Sequence, residues 1–406
     1  MERADVIILG GGLVGLTLAI ALDRHGVSTI VVDPADPASQ LAPTYDGRAT
    51  AVASASWRML EAIGVGARLE GMGCAIGAIR VSDGLRPGGI LFETPEDDRP
   101  LGIMFENRLI RAALRETALA SENLTLLMPA RPAEVVRDGA GARVTLADGR
   151  TIAAPLIVGA EGRMSPTREA ANIPLARWSY DHTAIVVTVT HETDHGNTAY
   201  EIFYPAGPFA ILPMLPGEDG RHRSAIVWSV AAKDGPAVMD LPPRALAAEV
   251  EKRMGGFLGA VEITAPRFSY KLGFHHAATI TGERLALVGD AAHGIHPIAG
   301  QGLNLGFRDA AALAEVIVEG ARIGMDLGDA ALLERYERWR SLDTFMVAAA
   351  TDGLTRLYGV PGRAASVLRR FGMGVVERVG PLKDRLMAEA RGESGELPLL
   401  LRGLPI

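Results

Sequence analysis

Two glycine-rich segments near opposite ends of a 406-residue chain carry the residues best suited to chemistry. The first is Gly10-Gly11-Gly12-Leu13-Val14-Gly15, in which Gly10, Gly12 and Gly15 fit G-x-G-x-x-G. The second is Gly289-Asp290-Ala291-Ala292-His293-Gly294-Ile295-His296-Pro297-Ile298-Ala299-Gly300-Gln301-Gly302-Leu303-Asn304. A glycine loop between a strand and a helix brings backbone N–H groups and a helix N-terminus toward an anion. In the first segment, one glycine allows the tight turn, the next lets the backbone approach a pyrophosphate, and the third permits close helix–strand packing. The second segment adds an acid, Asp290, and a flat Pro-Ile-Ala-Gly-Gln-Gly stretch. Together they suit a ligand with a pyrophosphate, a sugar-like chain and a planar ring.

The neighbouring elements must position these residues. Val6-Ile7-Ile8-Leu9 reads as a strand, followed by a helix to about His25 and a second strand over 29–32. That strand ends at Asp33, near the ~20-residue offset at which a carboxylate meets a ribose hydroxyl. The apolar run 285–288 reads as a buried strand before the second segment, and 305–319 as a helix after it. The fingerprint alone is weak, but strand, glycines, helix, strand and acid in succession are specific.

Elsewhere, 50–63 and 107–119 read as helices, the latter with Leu109, Ile110, Ala113, Leu114 and Ala118 on one face. Short strands are expected at 125–127, 133–137, 143–146 and 156–159, with a hairpin turn at Asp148-Gly149. From 178 to 274, β-branched and aromatic runs broken by Pro and Gly imply a mostly antiparallel sheet. From 330 onward the chain reads as helical, with Pro361 and Pro381 as breaks. The expected organisation is a discontinuous α/β unit (1–75, 100–177 and 276–329), a sheet unit (76–99 and 178–275) and a C-terminal helical region (330–406).

A formal net charge of −7 gives no general attraction for nucleic acid or anionic lipid. The single cysteine, Cys74, excludes a disulfide framework and a cysteine metal cluster, and reads as a small buried hydrophobe. Neither a signal peptide nor an 18-residue apolar run is visible, so a soluble, cytoplasmic protein is expected. His191-Glu192-Thr193-Asp194-His195 spells H-E-x-x-H, but zinc binding needs a helix. Here the motif follows a strand-like run and precedes Gly196-Asn197, so it reads as a polar loop and no metal is expected. In the tail, Leu354, Leu357, Tyr358, Val367, Leu368, Phe371 and Met373 lie beside Arg356, Arg363, Arg369 and Arg370. The plain reading is a helix packed on the core, with a lipid or partner patch as the alternative.

A third segment, Leu156-Ile157-Val158-Gly159-Ala160-Glu161-Gly162-Arg163-Met164-Ser165-Pro166-Thr167-Arg168, completes an ordered set of motifs. That set resembles the single-component FAD-dependent aromatic hydroxylases, the class A flavoprotein monooxygenases. Gly162, Ser165 and Arg168 fit the family pattern, whereas Glu161 stands where the family has Asp. The segment from His296 to Asp309 is similar to the signature of the ubiquinone-biosynthesis hydroxylases, as are 207–213 and 224–228. The resemblance covers most of 1–355. The halogenase segment Trp-x-Trp-x-Ile-Pro is not provided by Trp228-Ser229-Val230-Ala231.

The resemblance implies a glutathione-reductase-type, Rossmann-like FAD-binding domain with an inserted antiparallel substrate sheet and a C-terminal helical region. Gly10, Gly12 and Gly15 would meet the FAD pyrophosphate, Asp33 the adenosine ribose, and Asp290 the ribityl chain or pyrophosphate. Arg48 and Arg108 would be flavin-side contacts, and Gly300, Gly302, Leu303 and Asn304 would pass along the flavin's pyrimidine edge. The cofactor-binding set also takes in Leu13, Val14, Glu161, Gly289 and Pro297. NAD(P)H would be a transient reductant and O2 the co-substrate. This agrees with the absence of a second complete G-x-G-x-x-G, since 71–76 and 139–144 lack the last glycine. A flavin C4a-hydroperoxide would hydroxylate a hydrophobic polyprenylated phenol. The candidate catalytic residues are His296, Pro297 and Tyr204, with His293 also considered, and none identifies itself as the base. Peripheral contact with the inner membrane, or a ubiquinone-biosynthesis complex, would give access to such a substrate. Two alternatives stay open: a hydroxylase of a soluble aromatic, and a flavin-binding accessory subunit without turnover.

Overall fold

A computed structural model describes residues 1–42, 47–94, 98–295, 301–341, 374 and 376–406. Its first layer is a six-stranded sheet in the order Thr281–Gly282, Leu285–Leu287, Leu156–Gly159, Val6–Leu9, Thr29–Val32, Leu124–Leu127. All pairings are parallel except that of the first, edge strand. The sequences VIIL, TIVV and LIVG are buried at every position, as a parallel sheet covered on both faces requires. Helix Leu13–Asp23 packs against both Gln301–Arg322 and Asn107–Leu119. Its residues Gly15 to Leu22 are all buried, so its sequence is apolar around the whole circumference.

The second layer is a nine-stranded sheet ordered His293–Gly294, Phe268–Ala277, Leu175–His191, His222–Ala231, Gly207–Met214, Thr198–Tyr204, Ala78–Asp83, Ile90–Glu93. The short Val261–Ile263 strand pairs with Leu175–His191. All pairings are antiparallel except Thr198–Tyr204 with Ala78–Asp83. Successive side chains on a strand point to opposite faces. One face carries large residues, among them Ile185, Phe209, Ile211, Ile226 and Trp228, and is covered by Leu246, Val250 and Met254 of helix Pro243–Met254. The opposite face carries Ala184, Ala199, Ala210, Ala225 and Ser229, whose small side chains leave open volume above it. The α/β architecture and the mostly antiparallel second sheet are therefore as the sequence led one to expect.

Two local expectations are corrected. Residues 50–53, expected at the start of a helix, belong to strand Ala49–Ala53, paired antiparallel with Gly102–Glu106, and the helix is Ser54–Ala62. Tertiary pairing overrides the helix preference of alanine there. Gln301 to Asn304, expected as loop, form the first turn of helix Gln301–Arg322. The expected break at Pro381 is present: helical residues run to Arg378, Val379 is non-helical, and Pro381 sits in the first turn of Gly380–Ala390, where its missing N–H would have been unpaired anyway. Pro361 and the apolar and basic tail residues named above lie outside the described residues.

Candidate active site

A cavity of about 1660 Å³ runs from the Gly10–Gly12 turn to the small-residue face of the nine-stranded sheet. Single small-molecule pockets are usually ~300–1,000 Å³, so this volume accommodates a dinucleotide-sized group and a second molecule.

The first glycine turn is shaped by close approach. Gly10 has φ +108°, and a Cβ there would lie 2.4 Å from the Ala160 carbonyl oxygen. A Cβ on Gly15 would lie 2.0 Å from the Gly10 carbonyl oxygen. At Gly12 a Cβ would meet no protein atom within 4 Å, although the residue lines the cavity. Gly12 also caps helix Leu13–Asp23 without any side-chain hydrogen bond, so the first-turn N–H groups lack intrahelical partners and border the cavity beside Leu13 and Val14. Asp33, at the end of the second strand, accepts from Gly11 N and Ala35 N, both at 2.7 Å, and also lines the cavity. A glycine cradle with free N–H groups and a flanking carboxylate fits a pyrophosphate-bearing dinucleotide such as FAD.

Glu161 lines the cavity where the third parallel strand ends. Its carboxylate accepts from Ser165 Oγ and Thr167 Oγ1, both at 2.5 Å. Burial raises its carboxyl above the usual range, and these two hydroxyls counter part of that effect. The longer glutamate spans both hydroxyls at once. Arg168 is 2% exposed and donates to the carbonyls of Ala291 and Arg163, tying this loop to the second glycine segment.

That second segment opens with Gly289 at φ +59°, packed against Val14. Asp290 is exposed to the cavity, and its carbonyl accepts from His275 Nε2 at 2.8 Å. Behind the segment stands a buried hub. Asp309 accepts from Gly289 N at 2.9 Å, His293 Nε2 at 2.6 Å and Arg340 Nε at 2.7 Å. Burial alone would raise the Asp309 carboxyl, but His293 and Arg340 hold it down at about 2. Gly302, Leu303 and Asn304 line the cavity from the first turn of their helix. The Asn304 side chain accepts from Ala53 N at 2.9 Å and donates to Ala51 O at 2.8 Å, fixing that helix to the Ala49–Ala53 strand.

Arg48 lines the cavity with its guanidinium 5.1 Å from the centre of the Tyr270 ring. Arg108 does not line it and instead pairs with Glu106 at 2.6 Å. Asn107 and Arg111, one turn apart on the same helix face, line the cavity in its place. Arg111 is 8% exposed and donates to Gln40 O. The helix, its start at Asn107 and its apolar face were all legible in the sequence, but which of its arginines meets the cavity depended on where the rest of the chain builds that cavity.

Tyr204 is also corrected. Its hydroxyl donates to Arg253 O at 2.5 Å, on the helix-covered face of the sheet, because strand alternation sends Tyr204 away from the cavity. His293 is committed to Asp309 and does not line the cavity. His296, Pro297 and Gly300 lie outside the described residues.

The H-E-x-x-H segment is the end of a strand followed by a turn. His191 contacts Thr193 O and Ser224 Oγ, and His195 contacts Met214 O. No metal-binding group of three or more His, Cys, Asp or Glu is found among the described residues. Cys74 is buried, and burial followed by the charge of Asp194 pushes its thiol up to about 11.

Residues 3–348 match the family described as FAD binding domain. The chain is 47% identical to the ubiquinone hydroxylase UbiL of Rhodospirillum rubrum, over 99% of this chain and 94% of the relative. It is 32% identical to the 3-demethoxyubiquinol 3-hydroxylase of Escherichia coli, over 96% and 99%. Among solved structures, p-nitrophenol 4-monooxygenase PnpA of Pseudomonas putida has a TM-score of 0.80 at 16% identity, over 98% and 100%, and so shares the fold. With its glycine cradle, the Glu161 segment and the described residues of 289–295 and 301–304 around one cavity, the chain belongs to the class A FAD-dependent monooxygenase family that includes these ubiquinone-biosynthesis hydroxylases.

Proposed function

We propose that this protein is an FAD-dependent hydroxylase that inserts one oxygen atom into the ring of a polyprenylated phenol in ubiquinone biosynthesis. The observation that carries the reading is one continuous cavity, which joins a dinucleotide cradle to a small-residue, largely apolar sheet face. Bound FAD, reduced by NAD(P)H, supplies the oxygen activation. Gly10 to Gly15 hold the pyrophosphate by backbone N–H groups and the helix N-terminus, and Asp33 accepts from the ribose. Asp290 meets the linking chain. Gly302 and Leu303 present first-turn N–H groups to negative charge that develops on the ring system, the placement that lowers such a barrier most. Pro297 and Gly300 belong to the same cofactor-binding segment. Ala184, Val186, Ala210 and Val227 wall the substrate side and exclude water, which protects a reactive oxygen species from wasteful loss.

The prenyl tail calls for an apolar route, and a substrate of that kind resides in lipid, so peripheral contact with the inner membrane or with a biosynthetic complex is part of the proposal. Among the described residues no helix is long and apolar enough to cross a membrane.

The test is NAD(P)H oxidation and product analysis with FAD-loaded protein, comparing a phenol carrying a short prenyl chain with simple soluble phenols. Ring-hydroxylated prenyl product supports the reading. Turnover of the soluble phenol alone would replace it with a soluble-substrate hydroxylase. Bound FAD without substrate-stimulated reduction would indicate an accessory subunit.

A further inference from the structure

The strand Thr198–Tyr204 places one acid where the alternation of the sheet calls for an apolar residue. Ala199, Glu201 and Phe203 border the cavity, while Ile202 and Tyr204 pack toward helix Pro243–Met254. The register aligns Glu201 with Val81 on one side and Ala210 on the other, and Ala210 continues to Val227 and Val186. The other four members of this cross-strand row are small or apolar, and all four line the cavity. Among the described residues, Glu201 is the one carboxyl that the nine-stranded sheet contributes to the cavity lining. Its carboxylate has no hydrogen bond and no ion pair with any described residue. Protein surrounds the carboxyl, and the space its partly exposed side chain faces is the cavity. An acid kept in such surroundings without a partner costs stability, which a ligand hydroxyl would offset.

We propose that Glu201 binds the hydroxyl of the phenolic substrate and accepts its proton during ring hydroxylation, a role that rests on the function proposed above. The phenolic O–H bond breaks with its electron pair left on oxygen, and the proton goes to the Glu201 carboxylate. That charge enriches the ring carbons ortho and para to the oxygen. One of them gives an electron pair to the incoming hydroxyl oxygen, whose former bond leaves its pair on the donor. The same carbon then loses its own hydrogen as a proton, which neutralises the donor. The ring regains aromaticity, and Glu201 returns its proton to the original oxygen. The oxidant is O2, and NAD(P)H supplies the electrons through FAD.

Burial pushes the Glu201 carboxyl up to about 8, which brings it nearer a phenol's range and makes it a better proton acceptor than an exposed carboxylate. No neighbouring charge reverses this. Lys271 is four strands away across the sheet, ~19 Å at the usual strand spacing, and Arg48 lies by Tyr270 on that same distant strand. Arg80, one residue out of phase with Val81, and Arg253, stacked on Trp228, belong to the opposite face. Tyr200 reaches the cavity edge beside Glu201, Asp83 ends its strand outside the lining, and Glu389 enters from helix Gly380–Ala390.

The experiment compares the FAD-loaded parent with Glu201→Gln and Glu201→Asp, using a phenol with a short prenyl chain ortho to its hydroxyl. Three readouts are taken: FAD content, the absorbance of bound phenolate, and hydroxylation rate against pH. In the parent, kcat/KM should rise with pH through a midpoint near 8 to a plateau above it, and bound phenol should show phenolate absorbance. Glu201→Gln should keep its FAD, lose the phenolate signal and the pH limb, and hydroxylate ~10²–10⁴-fold more slowly. Glu201→Asp should recover part of the rate and the limb. If the parent hydroxylates the probe and Glu201→Gln does so within about threefold and with the same pH profile, the role assigned to Glu201 is wrong. If the FAD-loaded parent makes no hydroxylated phenol, the proposed function itself falls, and this inference with it.

Discussion

Asp309→Asn tests whether the buried hub holds the second glycine segment in place. The side chains of Asp309, His293 and Arg340 are 1%, 3% and 3% exposed, so none can turn to water when its partner changes. Asparagine keeps the shape but removes the charge and turns one acceptor oxygen into a donor. The buried ion pair between Arg340 and Asp309 is then broken, which typically costs ~3–5 kcal/mol. On the Oδ2 side, the Gly289 N–H and His293 Nε2 face an amide N–H₂ instead of an oxygen, so Gly289 loses its anchor. For 406 residues at ~2.1 cal/mol/K each, that cost lowers Tm by roughly 4–6 °C.

The pH dependence has a definite sign. The Asp309 carboxyl is at about 2 in the folded protein against 3.8 otherwise. A depressed folded-state value means stability that is full above the unfolded value and is lost as pH falls from ~4 toward ~2, here about 2 kcal/mol. The Tm gap between parent and variant should therefore narrow over that window. Thermal melts by circular dichroism at several pH values, with a parallel FAD titration, measure all of this. A variant that melts within ~1 °C of the parent at pH 7 and binds FAD equally well would show that the hub does not position Gly289.

The two inner glycines should separate packing from ligand approach. Gly15→Ala forces a methyl to 2.0 Å from the Gly10 carbonyl and should cost ~1–3 kcal/mol in a melt as well as FAD affinity, whereas Gly12→Ala meets no protein atom and should leave the melt of the FAD-free protein unchanged while weakening FAD at least about tenfold. Tyr204→Phe removes one hydrogen bond to Arg253 O, so about 1 kcal/mol of stability should go while the hydroxylation rate stays within about twofold; a ~10²-fold loss of rate would restore Tyr204 as a catalytic residue. Arg108→Met should change stability by less than ~1 kcal/mol and leave FAD titrations unchanged, because its partner is a partly exposed neighbour, while Arg111→Met should weaken FAD binding measurably.

Much of this arrangement could be read before any coordinates. The parallel core strands announce themselves because burial on both faces leaves only apolar residues, and the glycine turns because close approach excludes a Cβ. What escaped depends on partners far along the chain. Ala49–Ala53 becomes a strand only because Gly102–Glu106 lies beside it. Arg111 rather than Arg108 faces the cavity because distant segments build the cavity against that side of the helix. Asp309 is simply the last letter of a motif until Arg340 and His293 are seen to converge on it. Glu201 was visible as a charge in an apolar run, but its phase in the strand acquires meaning only when the opposite face is known to be covered.

The strand order has a consequence for how the polypeptide is made. Val6–Leu9 gains Thr29–Val32 almost at once, but its other neighbour, Leu156–Gly159, emerges much later, and Leu285–Leu287, which extends the sheet beyond it, later still. At ~5–20 residues per second on the ribosome, the wait for residue 285 is roughly 15–60 s. Through that interval a bare parallel edge of isoleucine and valine stands open to other nascent chains. The gene is thus poorly suited to division into separately produced halves, and production should benefit from slower growth or added holdase chaperones rather than from truncation.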